Sequence, residues 1–270
     1  MTLRQLWLAW LLGPLALGTA LLCAALWAPE PARRFDGAEV AVIGSSLGVH
    51  AMPLRFQLSN GRSVRQIGLS VPAEGELLTL FEAAIAERPR EVVLEAAPFM
   101  ADFAFEQPKG CQAPARGLRQ ALRSGQLAVV DRLRRLFGQR TSLDGMREPR
   151  GLDRPQEIDP TVMATFYPLT IHQPCLGERL ERAVASAKAQ GIRVTLIAYP
   201  RSPYGQARLG ARQERELTEA GRQLAARLGL ELLGSTAQWS DAEFTDHAHL
   251  NARGRARFMA DLDGWLVTPR

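Results

Sequence analysis

Val42-Ile43-Gly44-Ser45-Ser46-Leu47-Gly48 is the stretch that decides the fold. The apolar run from Val40 to Ile43 stops at Gly44 and delivers two serines. Such a run reads as a buried parallel strand that ends in a sharp turn. About two hundred residues later the chain reads Asp246-His247-Ala248-His249-Leu250-Asn251. A serine hydroxyl is a weak nucleophile at neutral pH and needs a base, and the base needs a partner that holds its tautomer. Ser46 is therefore the candidate nucleophile, His249 the candidate base and Asp246 its orienting carboxylate. Three residues apart on a loop or a first helical turn, Asp246 and His249 can point the same way. Plainer readings stand beside this one. Ser45 and Ser46 can cap a helix, Asp246 can cap locally, and His249 can be a surface histidine. A metal at Asp246, His247 and His249 lacks a further ligand cluster, so no metal and no cofactor is expected.

Outward from Ser46, strands and helices alternate. Ser63 to Ile67 reads as a second strand ending at Gly68, and Glu91 to Glu95 as a third. Between them, Leu77, Leu78, Phe81, Ala84 and Ile85 recur at helical spacing until Pro89. Further on, the pattern gives a helix over Glu178 to Gln190 stopped by Gly191, and a strand over Arg193 to Tyr199. A helix over Gln213 to Leu228 and a short strand over Leu230 to Leu233 follow. Asn251 is placed to cap a last helix with Phe258, Leu262 and Leu266 on its buried stripe. This alternation predicts an α/β fold with a central parallel sheet. In such sheets, sites form at the carboxyl ends of the strands. Ser46, Gly68, Glu95 and Arg201 all follow such ends. The backbone N–H groups of Ser46 and Gly68 are the candidate oxyanion donors. Glu95 is a candidate acid behind the site or against substrate, and Tyr199 and Arg201 are candidates to line it.

Gly44-Ser45-Ser46-Leu47-Gly48 also matches the nucleophile elbow Gly-x-Ser-x-Gly of α/β-hydrolases. That fold places its elbow after several earlier strands and separates acid from base by more than three residues, so the match is set aside. The order of the parts instead resembles the SGNH, or GDSL-type, hydrolase family. That family has its serine after the first strand, a glycine after the second, and a late Asp-x-x-His. Ser46, Gly68, Asp246 and His249 match those positions, over roughly residues 38–265. Two positions depart from the pattern. Ser45 stands where the family's first block usually has aspartate. Glu95-Ala96-Ala97-Pro98 stands where its third block usually carries an oxyanion-hole asparagine. The resemblance implies a three-layer, flavodoxin-like fold and serine-dependent acyl chemistry. It is nearest to the membrane-anchored proteins of exopolysaccharide O-acetylation and of D-alanyl transfer to teichoic acids. By that likeness the expected partners are a polysaccharide or other acylated envelope polymer and a multi-pass membrane acyltransferase. A non-catalytic scaffold of the same fold, binding polysaccharide or a membrane partner, is the alternative.

The bulk of the chain fits this picture. Its 270 residues, 46% of them hydrophobic, suffice for one large domain. Residues 5–29 carry no charge and are long enough as a helix to exceed the ~30 Å apolar thickness of a bilayer. They exceed the roughly 7–15 apolar residues of a cleaved signal peptide, so an uncleaved inner-membrane anchor is expected. Residues 30–37 then form a linker and residues 38–270 the main domain, which is expected in the periplasm. Cys111 and Cys175 are either a disulfide suited to that compartment or two buried thiols. The net charge is +5, and of the 33 basic residues only Lys109 and Lys188 are lysines. Ten arginines crowd the stretch from Arg116 to Arg154 against four acidic residues. With its amphipathic helical spacing, this marks an insertion at about 100–174. The insertion is either a solvated face or a basic surface for anionic polysaccharide or lipid head groups. No nucleic-acid motif is present.

Overall fold

Val40–Ser45 forms β1, and all six of its residues are buried. That is the burial of a strand covered on both faces. The structure is a computed structural model of the chain. It describes residues 34–70, 72, 74–102, 146, 147, 149, 169–234 and 238–268. All of these belong to one compact unit, Arg33–Gln112 with Gly145–Arg270. The expected anchor at 5–29, Cys111 and most of the arginine-rich stretch at 100–174 lie outside the described residues. Among the described residues no helix is long and apolar enough to cross a membrane.

β1 runs directly into α1 (Ser46–Ala51). There follow β2 (Arg55–Gln57), β3 (Ser63–Leu69), α2 (Glu74–Glu87) and β4 (Glu91–Glu95). Two short strands, β5 (Ala101–Asp102) and β6 (Thr170–Ile171), pair with each other in antiparallel fashion. They bring the two ends of the 100–174 stretch together. The alternation resumes with α3 (Gly177–Ala189), β7 (Arg193–Ala198), α4 (Pro203–Leu228), β8 (Glu231–Gly234) and α5 (Ala252–Val267).

The main sheet has the order β2-β3-β1-β4-β7-β8. Its five parallel strands, counted along the chain, lie in the doubly wound order 2-1-3-4-5, and β2 adds one antiparallel edge. The order reverses between β1 and β4, and the crevice at that switch point is where such folds place ligands. The parallel α/β architecture expected from the sequence is thus the one observed.

Side chains alternate across the strands, so one face of the sheet can be followed residue by residue. Val40, Val42, Val64, Val93, Ile197 and Leu233 pack there with Phe258, Leu262 and Leu266 of α5. Toward the carboxyl ends of the strands the same face turns polar, with Gln66 on β3, Glu95 on β4 and Tyr199 just past β7, all buried. Elsewhere, α2 packs on β1, β4 and α3.

Three local expectations shift. β3 continues through Leu69, so Gly68 lies inside the strand opposite Gly44 and not after its end. α4 begins ten residues before Gln213, because Ser202 Oγ accepts the Gly205 N–H and Pro203 suits a first helical turn. Its two segments join at Gly210, whose φ of 81° is outside the helical range. The edge strand β2 was not expected. Asn251 caps α5 as read, with its side chain accepting the Gly254 N–H at 3.0 Å.

Candidate active site

Ser46, His249 and Asp246 meet at the carboxyl end of the sheet, although Ser46 and His249 stand 203 positions apart in the chain. Ser46 Oγ lies 2.9 Å from His249 Nε2, and His249 Nδ1 lies 2.7 Å from Asp246 Oδ2. An ionised carboxylate can only accept. Nδ1 therefore carries the hydrogen it donates to Asp246, and Nε2 presents a lone pair to the Ser46 hydroxyl. Burial alone would raise the Asp246 carboxyl. The hydrogen bond and charge of His249, with the Ala248 and His249 N–H groups, outweigh it and hold the group well below the usual carboxylate range. Both amides donate to Asp246 Oδ1 at 2.8 Å. The side chains of Asp246 and His249 are 17% and 23% exposed, so the triad opens to solvent.

The segment that carries the base is a closed loop. Phe244 and Leu250 form an antiparallel bridge at its neck. Within it, the Thr245 N–H and Oγ1–H both donate to the His249 carbonyl, at 2.8 and 3.0 Å. The loop is tied to the rest of the sheet through Ser202, whose N–H and Oγ–H both donate to the His247 carbonyl. Thus the residue that caps α4 also holds the histidine loop in place. Burial pushes the His247 imidazole below its ordinary value.

Ser46, the candidate nucleophile, sits at the first position of α1, which has only six residues. A helix this short does not hold itself together in water. Ser45 caps its start by accepting the Leu47 N–H at 3.2 Å. Arg255 on α5 caps its end by donating to the Val49 and Met52 carbonyls, at 3.1 and 2.6 Å. The glycines of the turn admit its neighbours. A Cβ at Gly44 would stand 2.5 Å from Glu95 Oε2, and one at Gly48 2.5 Å from Gln66 Nε2 and 2.7 Å from the Tyr199 hydroxyl.

Glu95 is 1% exposed and faces Ser45. The Ser45 N–H donates to its Oε2 at 2.5 Å and the Ser45 Oγ–H to its Oε1 at 2.9 Å. Ser45 and Glu95, distant in sequence, thus touch each other. Burial pushes the Glu95 carboxyl up to about 7, against the pull of the two Ser45 donors and of His249. Burial, and then the charge of Glu95, push the Tyr199 hydroxyl well above its ordinary value.

The remaining candidates are placed differently. Gly68 has a packing reason to be glycine, because a Cβ there would collide with Val49 Cγ2 and the Ser45 carbonyl. Its own carbonyl accepts the Met146 N–H at 2.7 Å. The Arg201 guanidinium forms an ion pair with Glu214 at 3.1 Å. One neighbour was missed. His50 lies one helical turn after Ser46, and its ring rests on that of His249, with centroids 4.4 Å apart and planes tilted by 45°. Burial, and then the His249 charge, lower its imidazole to about 4, so it stays neutral beside the base. The i, i+4 spacing from Ser46 was the signal that could have found it.

No family model and no curated protein matches the chain. Among solved structures, it is similar to a GDSL-like lipase from Bacteroides thetaiotaomicron, at 13% identity and a TM-score of 0.40, over 92% of this chain and 96% of that one. It is also similar to a variant of an acetyl-xylooligosaccharide esterase from Geobacillus, at 9% identity and a TM-score of 0.45, over 88% of this chain and 98% of that one.

Proposed function

We propose that the chain is a serine-dependent acyl esterase or O-acyltransferase. The observation that carries this reading is the unbroken hydrogen-bond chain from Ser46 Oγ through His249 to Asp246 Oδ2. Ser46 Oγ attacks an ester carbonyl carbon as its proton passes to His249 Nε2. Asp246 holds the tautomer and stabilises the imidazolium that results. The first N–H groups of a helix have no acceptor within it, and the N–H of Ser46 is the donor assigned to the tetrahedral oxyanion. Collapse of the intermediate expels the alcohol, which takes the proton from His249 and leaves an acyl-Ser46 ester. Water or a sugar hydroxyl, deprotonated by His249, then attacks that ester. Water gives an esterase and a sugar hydroxyl gives a transferase.

The acylated substrate is proposed to be a cell-envelope polysaccharide or exopolysaccharide, with a multi-pass membrane acyltransferase as a partner. The uncharged run at 5–29 supports an inner-membrane anchor with this domain in the periplasm. The test is covalent labelling by a fluorophosphonate. Wild type labels and Ser46→Ala does not. Equal labelling of the two would remove Ser46 as nucleophile. No labelling of wild type, under conditions where an active serine esterase reacts, would favour a non-catalytic polysaccharide-binding scaffold.

A further inference from the structure

The geometry points to Glu95 as a positioning residue for the nucleophile: from the end of β4 its carboxyl group fixes the Ser45 turn that presents Ser46. The inference rests on the reading of Ser46 as the nucleophile. Its first support is a relay of three hydrogen bonds. Ser45 gives its N–H and its only hydroxyl hydrogen to Glu95, at 2.5 and 2.9 Å. With that hydrogen committed, a lone pair of the same oxygen faces the Leu47 N–H at 3.2 Å. Glu95 thus sets the rotation of the cap hydroxyl. The cap sets the first turn of α1, and Ser46 lies inside that turn. A six-residue helix has little else to fix its start.

The second support is the space reserved for the carboxyl group. Gly44 lacks the Cβ that would stand 2.5 Å from Glu95 Oε2, so the strand is opened at the residue beside Ser45. The third is the cost of the arrangement. A buried carboxyl group is expensive unless it is paired or well hydrogen-bonded. Among the described residues no arginine or lysine pairs with Glu95. The groups that face it are Ser45 on β1, the Tyr199 hydroxyl past β7, and His249 across the site. Gln66 joins Tyr199 beneath Gly48. The burial that raises the carboxyl to about 7 places its ionisation near neutral pH. Ionised, the group offers both oxygens to Ser45. Protonated, it carries a hydrogen of its own, and its hold on the cap weakens.

Glu95→Gln conserves the shape but replaces one acceptor by an amide NH2 that opposes the Ser45 hydroxyl hydrogen. Acylation of Ser46 by 4-nitrophenyl acetate should slow roughly ten- to hundredfold, the scale on which small misplacements act. The pH–rate profile should lose one ionisation near neutrality. Ser45→Ala should produce the same loss, Ser45→Thr should restore most of the rate, and the double variant E95Q/S45A should be no slower than either single one. An E95Q enzyme with the wild-type rate and profile, or fully additive effects in the double variant, overturns the inference. A wild type that is never acylated instead removes the nucleophile reading. The amide resonance of Ser45 then decides separately whether the carboxyl group organises the turn. That resonance should titrate near pH 7 in wild type and not in E95Q, and a Ser45 amide that does not titrate overturns the inference in an inactive protein too.

Discussion

β4 carries a buried carboxyl group at each end, and the protein treats the two in opposite ways. Glu91 at the start and Glu95 at the finish are each 1% exposed and point to the same face of the sheet. Glu91 accepts from Arg62 Nη2 at 2.8 Å, Arg193 Nη2 at 2.7 Å and Thr195 Oγ1 at 3.3 Å. Arg193 thus clips β4 to its neighbour β7, and Arg62 reaches it from the turn before β3. Among the described residues Glu95 has only the N–H and hydroxyl of Ser45, and burial pushes its carboxyl up to about 7. Burial therefore does not assign a role. The partner does. A carboxylate between arginines holds strands together, whereas one left among neutral donors can change state in the physiological range.

The largest effect that would sharpen this contrast belongs to the triad. Asp246→Asn should slow acylation by about 10⁴-fold, because the amide no longer enforces a hydrogen on His249 Nδ1. Its melting temperature should change little, since one oxygen remains for the Ala248 and His249 amides. An ester-hydrolysis assay beside a thermal melt checks both halves. At the other end of the sheet the dissociation should reverse. Glu91→Gln should cost about 3 kcal/mol in urea denaturation, as expected when one partner leaves a buried ion pair, with the acylation rate per folded molecule unchanged. A large loss of rate without a loss of stability would break the contrast.

Third comes pH. The folded Glu95 carboxyl titrates at about 7 against an ordinary 4.5, so the folded state binds more protons between those values. Its contribution is fully present below about 4.5 and is lost as pH rises through 7. The loss should reach about 3 kcal/mol, and Glu95→Gln should abolish it in denaturation curves taken from pH 5 to 9. Smallest is Arg201→Ala. It removes a partly exposed ion pair with Glu214 and should cost about 1 kcal/mol or less with no change in fluorophosphonate labelling.

Most of the scaffold was legible because burial on both faces leaves continuous apolar runs. Val40 to Ile43 and Arg193 to Ala198 announced themselves this way, and the Asn251 cap could be read from its place before a helical stripe. β2 left no such mark, since two of its three residues are polar and exposed and it pairs on one edge only. Proline and glycine disfavour a helix interior, which hid the start of α4, where Pro203 opens the helix and Gly210 joins its two segments. The three triad residues could be named because each has chemistry of its own. The bonds from Ser45 to Glu95, the ring of His50 on His249 and the pairing of Arg201 with Glu214 are contacts of the folded chain. Apart from the i, i+4 step from Ser46 to His50, no periodicity in the sequence encodes them.

The loop that Ser202 fastens by the His247 carbonyl has one more consequence. A chain is made from its amino terminus, so Ser46 emerges before His249, which follows 203 residues later. Until residues 246–255 are made and α5 has folded onto α1, the serine has neither its imidazole nor the Arg255 cap that steadies its helix. A copy that stops before residue 246 therefore carries a Ser46 hydroxyl with no imidazole beside it.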